Sequence, residues 1–133
     1  MNRFKILSLS VLFFFNANAS YQFMSRHYVA TFENCNKRLL SDVGLLADFF
    51  LDAFEESDIS VLGMRVSEFE SGACSILVLL NESHAALHSY PKEGRCSIDV
   101  FTCAMDTDFE PFHKVMSDYL KPGYVKFQVM ERQ

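Results

Sequence analysis

The sequence lacks any cluster of basic residues and any low-complexity tract. Its 12 lysines and arginines are scattered among 17 acidic residues, which gives a formal net charge of -5. A nucleic-acid backbone would be met by clustered positive charge, so the composition argues against that partner and better suits a small cationic ligand. Half of the 133 residues are hydrophobic, which argues against disorder and predicts one compact domain.

The chain also lacks a C-x-x-C pair, and its four cysteines are too few for a disulfide scaffold. We therefore expect Cys35, Cys74 and Cys96 to be small buried hydrophobic residues. The sequence gives no support for a fold that is held together by disulfide bonds.

Hydrophobic periodicity predicts an α+β fold. Strands are indicated by alternation or by a short apolar run at 26–32, 59–69, 75–80, 85–90, 97–103 and 124–130. Helical spacing predicts one helix over 37–56 and a second that Asp108 can cap, with Pro111 in its first turn. The apolar run 76–80 is typical of a strand covered on both faces. The order of elements predicts a two-layer α/β sandwich, with a mainly antiparallel sheet and both helices on one face.

The N-terminal residues allow two interpretations. Two cations precede an apolar stretch over 6–15, and residues 17–19 resemble a signal-peptidase site, as in a secretory leader. The stretch is too short to cross a bilayer as a helix. Met24 opens the globular pattern and is a plausible initiator, so residues 1–23 are either a signal-like leader or a spurious extension that precedes a domain at 24–133.

A dense polar motif, Glu82-Ser83-His84 followed by His88, comes directly after the apolar run 76–80. A strand end that reaches solvent is the simplest interpretation. A metal site is unlike this pattern, because histidines four residues apart in a strand are separated by about 13 Å. A Ser-His-Asp hydrolase requires a glycine-flanked nucleophile turn, which the motif lacks.

Two stretches carry a resemblance to a known family. "LVLLNESHAALHSYPKEGRCSIDVFTC" is similar to the core of the bacterial S-adenosylmethionine decarboxylase proenzymes, and "RHYVATFENC" is similar to their opening strand. The combination of E-S-H, H-x-aromatic-P and D-V-F-T-C at these spacings is specific, and the likeness extends from about Arg26 to the C-terminus. It implies homodimers in which paired sheets pack between outer helices, an α/β/β/α arrangement.

The resemblance implies that the chain cuts itself between Glu82 and Ser83. The Ser83 hydroxyl attacks the preceding carbonyl and forms an ester, and β-elimination then leaves a covalent pyruvoyl group derived from Ser83. A serine hydroxyl is a weak nucleophile and needs a proton acceptor nearby. The family's processing residues fall on Ser75 and on His88, with His88 as the proton acceptor.

For catalysis, the resemblance implies that the pyruvoyl ketone forms a Schiff base with the substrate and that Cys103 returns a proton after carbon dioxide leaves. Periodicity puts Asp99, Phe101 and Cys103 on one strand face. The family's adenine-stacking phenylalanine falls on Phe69. The implied reaction converts S-adenosylmethionine to its decarboxylated form for spermidine synthesis.

Some residues depart from the family pattern near the expected substrate pocket. The stretch 69–76 replaces the usual F-S-P-Q-G-V-S-G, and Lys92 stands where the family has a carboxylate. Two alternatives therefore stay open: a pyruvoyl decarboxylase of arginine or ornithine, and an unprocessed homologue without catalysis. A free Cys103 is at risk of oxidation outside the cytoplasm, so a cytoplasmic location is expected, with export as the alternative.

Overall fold

The structure is a computed structural model that describes residues 24–132, and it confirms the α+β sandwich. Six strands form one antiparallel sheet, in the order β2-β3-β4-β5-β1-β6. The elements along the chain are β1 (Ser25–Glu33), α1 (Lys37–Ser41), α2 (Val43–Glu55), β2 (Val61–Glu68), β3 (Cys74–Leu80), β4 (Ser83–Tyr90), β5 (Arg95–Thr102), α3 (Glu110–Leu120) and β6 (Tyr124–Arg132).

The helices cover one face of the sheet, which we call the covered face. On the other, the open face, residues 24–132 form no second layer. In β3 the residues Ile76, Val78 and Leu80 are buried on the covered face. Leu77 and Leu79, between them, are 54% and 60% exposed on the open face. The prediction that this strand is covered on both faces is therefore wrong for the single chain, because the helices lie on the same side.

Aromatic packing joins the helices to the covered face. The Phe112 ring of α3 lies 5.1 Å from Phe54 of α2 and 5.4 Å from Tyr28 of β1, centroid to centroid. All three side chains are fully buried. Truncating a buried phenylalanine to alanine typically costs about 3–5 kcal/mol, so this cluster is a main source of stability for the sandwich.

The long helix predicted over 37–56 is interrupted at Asp42. Asp42 leaves helical geometry, with φ of -87° and ψ of 84°. Its carboxylate accepts the backbone N–H of Leu45 at 3.1 Å, which caps the first turn of α2. Asp42, a short polar residue in the middle of the predicted helical pattern, thus lies at the end of α1 and caps the start of α2.

The third helix begins close to the expected position. Asp108 Oδ1 accepts the backbone N–H of Glu110 at 2.9 Å, and Pro111 lies in the first turn. The helix brings His113 to β1, where the Tyr28 hydroxyl lies 2.7 Å from His113 Nδ1.

The interpretations of residues 1–23 as a leader or an extension lie outside the described residues. Between residues 24 and 132, no helix has the length and apolar character needed to span a membrane.

Candidate active site

The Glu82-Ser83 peptide lies in a tight turn at the end of the β3–β4 hairpin. Leu80 pairs with Ser83, so Asn81 and Glu82 form a two-residue turn between the strands. Glu82 has a left-handed backbone, with φ of 55°. A residue with a Cβ atom adopts that conformation at a cost of about 1–2 kcal/mol, so the hairpin holds this peptide under strain.

Cys103 lies beside this turn, just after the end of β5. His84 pairs with Phe101 across β4 and β5, so the chain beyond β5 passes Ser83. The Cys103 backbone N–H donates to Ser83 Oγ at 3.2 Å. The Cys103 thiol donates to the Glu82 carbonyl oxygen at 2.9 Å. A hydroxyl, a thiol and the carbonyl of the preceding residue therefore converge at one point.

Cys103 differs from the other three cysteines. All four thiols are free, but Cys35, Cys74 and Cys96 are buried, as predicted, whereas Cys103 is partly exposed. Burial raises the pKa of the Cys35 thiol to about 11 and that of Cys96 well above its usual value. The buried thiols are therefore poor proton donors and nucleophiles, and only Cys103 borders the polar motif.

Ser75 and His88 also come together, but at the opposite end of the hairpin. They pair across β3 and β4, and Ser75 Oγ lies 2.8 Å from His88 Nδ1. His88 is five residues along β4 from Ser83, which corresponds to about 16 Å at the rise of a strand. Within one chain, His88 does not reach the Ser83 hydroxyl.

Phe69 lies at the same end of the hairpin as Ser75. It occupies the turn between β2 and β3, where its backbone N–H donates to the Ala73 carbonyl at 2.9 Å. Its side chain is 53% exposed. The fold thus divides the sequence-predicted residues into two groups: one of Glu82, Ser83 and Cys103, and one of Phe69, Ser75 and His88.

A row of side chains, which we call the Phe101 row, crosses the open face next to Ser83. Strand register aligns Leu79, His84, Phe101, His27 and Met130. The His84 ring stacks on Phe101 with 5.2 Å between centroids, and His27 approaches Phe101 edge-on at 5.9 Å. The Arg132 guanidinium lies 5.1 Å from the same ring centroid.

His27 carries an unpaired atom in this row. Its Nε2 is buried and has no hydrogen-bond partner among residues 24–132. Burial lowers the pKa of His27; the Asp99 carboxylate raises it, and Arg132 and His84 lower it further. The imidazole is therefore biased toward its neutral form.

Sequence reasoning misses His27 and Arg132. Alternation in β1 does indicate that His27 points away from Tyr28 and the core. It does not reveal that β1 pairs with β5, and this pairing alone brings His27 to Phe101.

Within the described part of the chain, no group of three or more His, Cys, Asp or Glu side chains is arranged to hold a metal ion. His84 and His88 do share the open face. They are four residues apart in β4, a separation of about 13 Å, which is too long for shared coordination.

Comparisons with known proteins identify the family of the chain. The family model described as S-adenosylmethionine decarboxylase matches residues 26–133. An S-adenosylmethionine decarboxylase proenzyme of Thermotoga petrophila is 34% identical over 85 residues, which are 64% of this chain and 65% of that protein. The chain thus matches slightly less than two thirds of that relative's length.

Other relatives align over more of their length. The proenzyme of Oceanobacillus iheyensis is 29% identical over 82% of this chain and 86% of its own. The second proenzyme of Halalkalibacterium halodurans is 31% identical over 74% of this chain and 77% of its own. The crystal structure of the adenosylmethionine decarboxylase from Aquifex aeolicus has a TM-score of 0.75 and 20% identity, covering 82% of this chain and 90% of that one; it shows the same fold. The chain belongs to the S-adenosylmethionine decarboxylase family.

Proposed function

We propose that this chain is a self-processing, pyruvoyl-dependent decarboxylase that converts S-adenosylmethionine to its decarboxylated form for spermidine synthesis. The observation that carries the proposal is the convergence of the Ser83 hydroxyl, the Cys103 thiol and the Glu82 carbonyl. Family membership supports the same reaction, because the relatives are named as proenzymes of this decarboxylase.

The first step is cleavage of the Glu82-Ser83 bond. Ser83 Oγ attacks the Glu82 carbonyl carbon, and negative charge develops on the carbonyl oxygen before the C–N bond to Ser83 breaks and leaves an ester. Elimination then releases the Glu82 carboxylate, and water replaces the Ser83 nitrogen, which leaves as ammonia, to give the pyruvoyl ketone. The Cys103 thiol already donates to the Glu82 carbonyl oxygen at 2.9 Å, so it stabilises the charge as an oxyanion-hole donor does. The left-handed backbone of Glu82 raises the energy of the intact peptide, which favours its rearrangement.

The proton acceptor for this step comes from a second copy of the chain. Ser75 and His88 form a hydrogen-bonded pair that is about 16 Å from Ser83 in the same chain. In this dimer two copies pack through their open faces, related by a two-fold axis that is perpendicular to the strands and lies over the middle of the open face. The Ser75–His88 end of one copy then lies opposite the Ser83 end of the other. Each copy then supplies the base for its partner, in an α/β/β/α homodimer.

Exposed apolar side chains support this assembly. Leu77 and Leu79 of the open face are 54% and 60% exposed, and burying apolar surface contributes about 25 cal/mol per Å². The apolar run of β3 is then covered on both faces. The same pairing brings Phe69 toward the partner's Ser83, where its ring is available to the adenine of the substrate.

The residues around Ser83 fit the pyruvoyl group that the family implies, since it forms from Ser83 itself. That group supplies a ketone that captures the substrate's amine and accepts the electrons released on loss of carbon dioxide. Cys103 then returns a proton to the substrate's α-carbon. That role requires a reduced thiol, so we also propose a cytoplasmic location.

The test is release of carbon dioxide from carboxyl-labelled S-adenosylmethionine, arginine and ornithine by the purified protein. We expect release from S-adenosylmethionine alone, and no release by the Ser83→Ala chain, which lacks the hydroxyl that forms the ketone. Release from arginine or ornithine but not from S-adenosylmethionine would overturn the substrate. A cleaved chain that decarboxylates none of the three would overturn the activity.

A further inference from the structure

Two buried threonines lie on either side of Cys103 in the chain. Thr102 is 4% exposed and Thr107 is 8% exposed, although threonine is mostly found at protein surfaces. Buried polar groups in folded proteins are hydrogen-bonded, so the partners of these two side chains show what they hold in place. Both contact the loop that follows β5, which carries the Cys103 thiol to the Glu82 carbonyl.

Thr102 makes a hydrogen bond that encloses the backbone of Cys103. Thr102 Oγ1 accepts the backbone N–H of Ala104 at 3.1 Å, a bond between residues i and i+2 that threonine side chains form in turns. Cys103 is the residue between them, so this closed ring restricts the backbone dihedral angles of Cys103. Because these angles decide which side-chain rotamers are allowed, Thr102 restricts where the Cys103 thiol can point.

Thr107 and Arg26 hold this turn against the sheet. Thr107 Oγ1 lies 3.4 Å from Thr102 Oγ1, and the Thr107 backbone N–H donates to the Ala104 carbonyl at 3.4 Å. The Arg26 guanidinium donates to the Thr107 carbonyl and lies 5.8 Å from the centre of the Phe109 ring. Arg26 pairs with Thr102 across β1 and β5, so both anchors of the loop start from the same point on the sheet.

We propose that Thr102 is a positioning residue, which holds the Cys103 thiol where it returns a proton to the substrate. This role rests on the proposed decarboxylase function, in which Cys103 is the proton donor. Thr102 is buried on the covered face, whereas the thiol lies at the Glu82 carbonyl on the other side of the backbone. Thr102 therefore acts through Cys103 and not by contact with the substrate.

The test is a double-mutant cycle, in which Thr102→Val is made in the wild-type chain and in the Cys103→Ala chain. Valine keeps the shape of the side chain but lacks the hydroxyl that accepts the Ala104 N–H. Misplacing a reacting group by about 1 Å can cost about 10²-fold in rate. Since the strand pairing of Thr102 is kept, we expect a smaller loss in the wild-type chain, with kcat for carbon dioxide release lowered about 10-fold and KM within about two-fold of wild type.

The Cys103→Ala chain has no thiol left to position. Adding Thr102→Val to it should therefore change kcat by less than about two-fold, because residues that act through one group are not additive. A structural defect would act whether or not the thiol is present. An equal fold-loss of kcat in both backgrounds would overturn the proposal, as would no loss in the wild-type chain.

Two further variants separate the hydroxyl from the fold. Thr102→Ser keeps the hydroxyl and should retain kcat within about two-fold of wild type; a loss as large as that of Thr102→Val would contradict the role of the hydroxyl. Thr107→Val removes the neighbouring hydroxyl and leaves the Ala104 N–H paired, so it carries the same cycle if Thr102→Val does not fold. It should lower kcat about three-fold, the effect of one weak hydrogen bond, and only while Cys103 is present. An equal loss in both backgrounds, or none, would overturn the proposal.

Tyr119→Phe is the matched control, because it also removes a buried hydroxyl without changing the shape of the side chain. Tyr119 is 5% exposed and donates to the Leu39 carbonyl at 2.9 Å, within the helical layer. This variant should lower the free energy of unfolding in urea and leave kcat per cleaved chain unchanged. A loss of kcat like that of Thr102→Val would show that kcat follows stability, and would overturn the proposal.

Carbon dioxide release by wild type tests the proposed function separately. If wild type is active and Thr102→Val costs the same in both backgrounds, only the proposed role of Thr102 fails.

Discussion

The two ends of the β3–β4 hairpin carry different parts of the proposed self-processing site. At the turn, Ser83 lies next to a strained Glu82 backbone and to the Cys103 thiol, which donates to the Glu82 carbonyl. At the far end, Ser75 and His88 lie in regular strand and bond to each other at 2.8 Å. In the proposed reaction, one end has the nucleophile without a base, and the other has the base without the nucleophile.

If the proposed roles of Ser83 and His88 are correct, this difference requires a reactive unit larger than one chain. Residues that are close in sequence, such as Ser83 and His88, are kept apart because a strand is extended and rigid. In the proposed dimer, two copies packed through the open face join the halves. Maturation of the enzyme is then coupled to its assembly.

The largest effect is expected when the Ser83 nucleophile and the His88 base are removed from different chains. His88→Ala removes the base and Ser83→Ala removes the nucleophile, so neither variant should be cleaved when it is expressed alone. When the two are co-expressed with different tags, the Ser83→Ala chain supplies Ser75 and His88 to its partner. Denaturing gels should then show cleavage of the His88→Ala chain. Absence of cleavage in the co-expressed mixture would contradict the proposal that a second chain supplies the base.

The next effect concerns the thiol at the Ser83 end. Cys103→Ala should lower kcat for decarboxylation by about 10²–10⁴-fold, the range for loss of a general acid, and should also slow cleavage because the Glu82 carbonyl loses its donor. Cys103→Ser keeps a donor at this position and should restore cleavage more than decarboxylation. Cleavage half-times and carbon dioxide release check the two effects. Equal rescue of both reactions would contradict the dual role.

A smaller effect is expected at the proposed interface between two copies. Leu77→Arg puts a charge on the open face, where Leu77 is 54% exposed, and should convert the dimer to monomer in sedimentation and slow cleavage. Leu62→Arg is the matched control, because Leu62 is 63% exposed on the edge strand β2. A monomer that still cleaves at the wild-type rate would contradict assembly-coupled processing.

The smallest effect should appear on the covered face, as pH dependence of stability. Burial lowers the pKa of His113, so the folded chain resists its protonation more than the unfolded chain does. Its contribution to the free energy of unfolding is therefore full above about pH 6.5 and is lost as pH falls through that value toward the lower pKa of the folded state. Urea unfolding between pH 5 and 8 measures it, and His113→Gln should flatten the curve. If the pH dependence of the free energy of unfolding is the same in His113→Gln as in wild type, His113 is not its cause.

Much of the fold follows from the sequence, because local periodicity is set by short-range geometry. The alternation around Tyr28 and the helical stripe containing Phe50 and Phe54 each correspond to an observed element. The break at Asp42 does not follow, since one capping side chain outweighs a continuous apolar stripe. The exposed face of Leu77 does not follow either, because in the proposed dimer the pattern describes the assembled protein and not the single chain.

The site is predictable only in part, for a similar reason. The family resemblance predicts Ser83, His88 and Cys103 as site residues, but residue spacing carries no information on which strands become neighbours. Register then brings Cys103 to Ser83 and takes His88 away from it. His27 depends on the pairing of the first strand with the fifth, which is a long-range contact without a local signal.

The most direct test of self-processing is the mass of the purified chain under denaturing conditions. We expect two fragments divided between Glu82 and Ser83, the C-terminal one blocked by a pyruvoyl group, and one uncleaved chain for Ser83→Ala. A wild-type protein that stays intact, or a Ser83→Ala protein that is cleaved at the same bond, would contradict self-processing at Ser83.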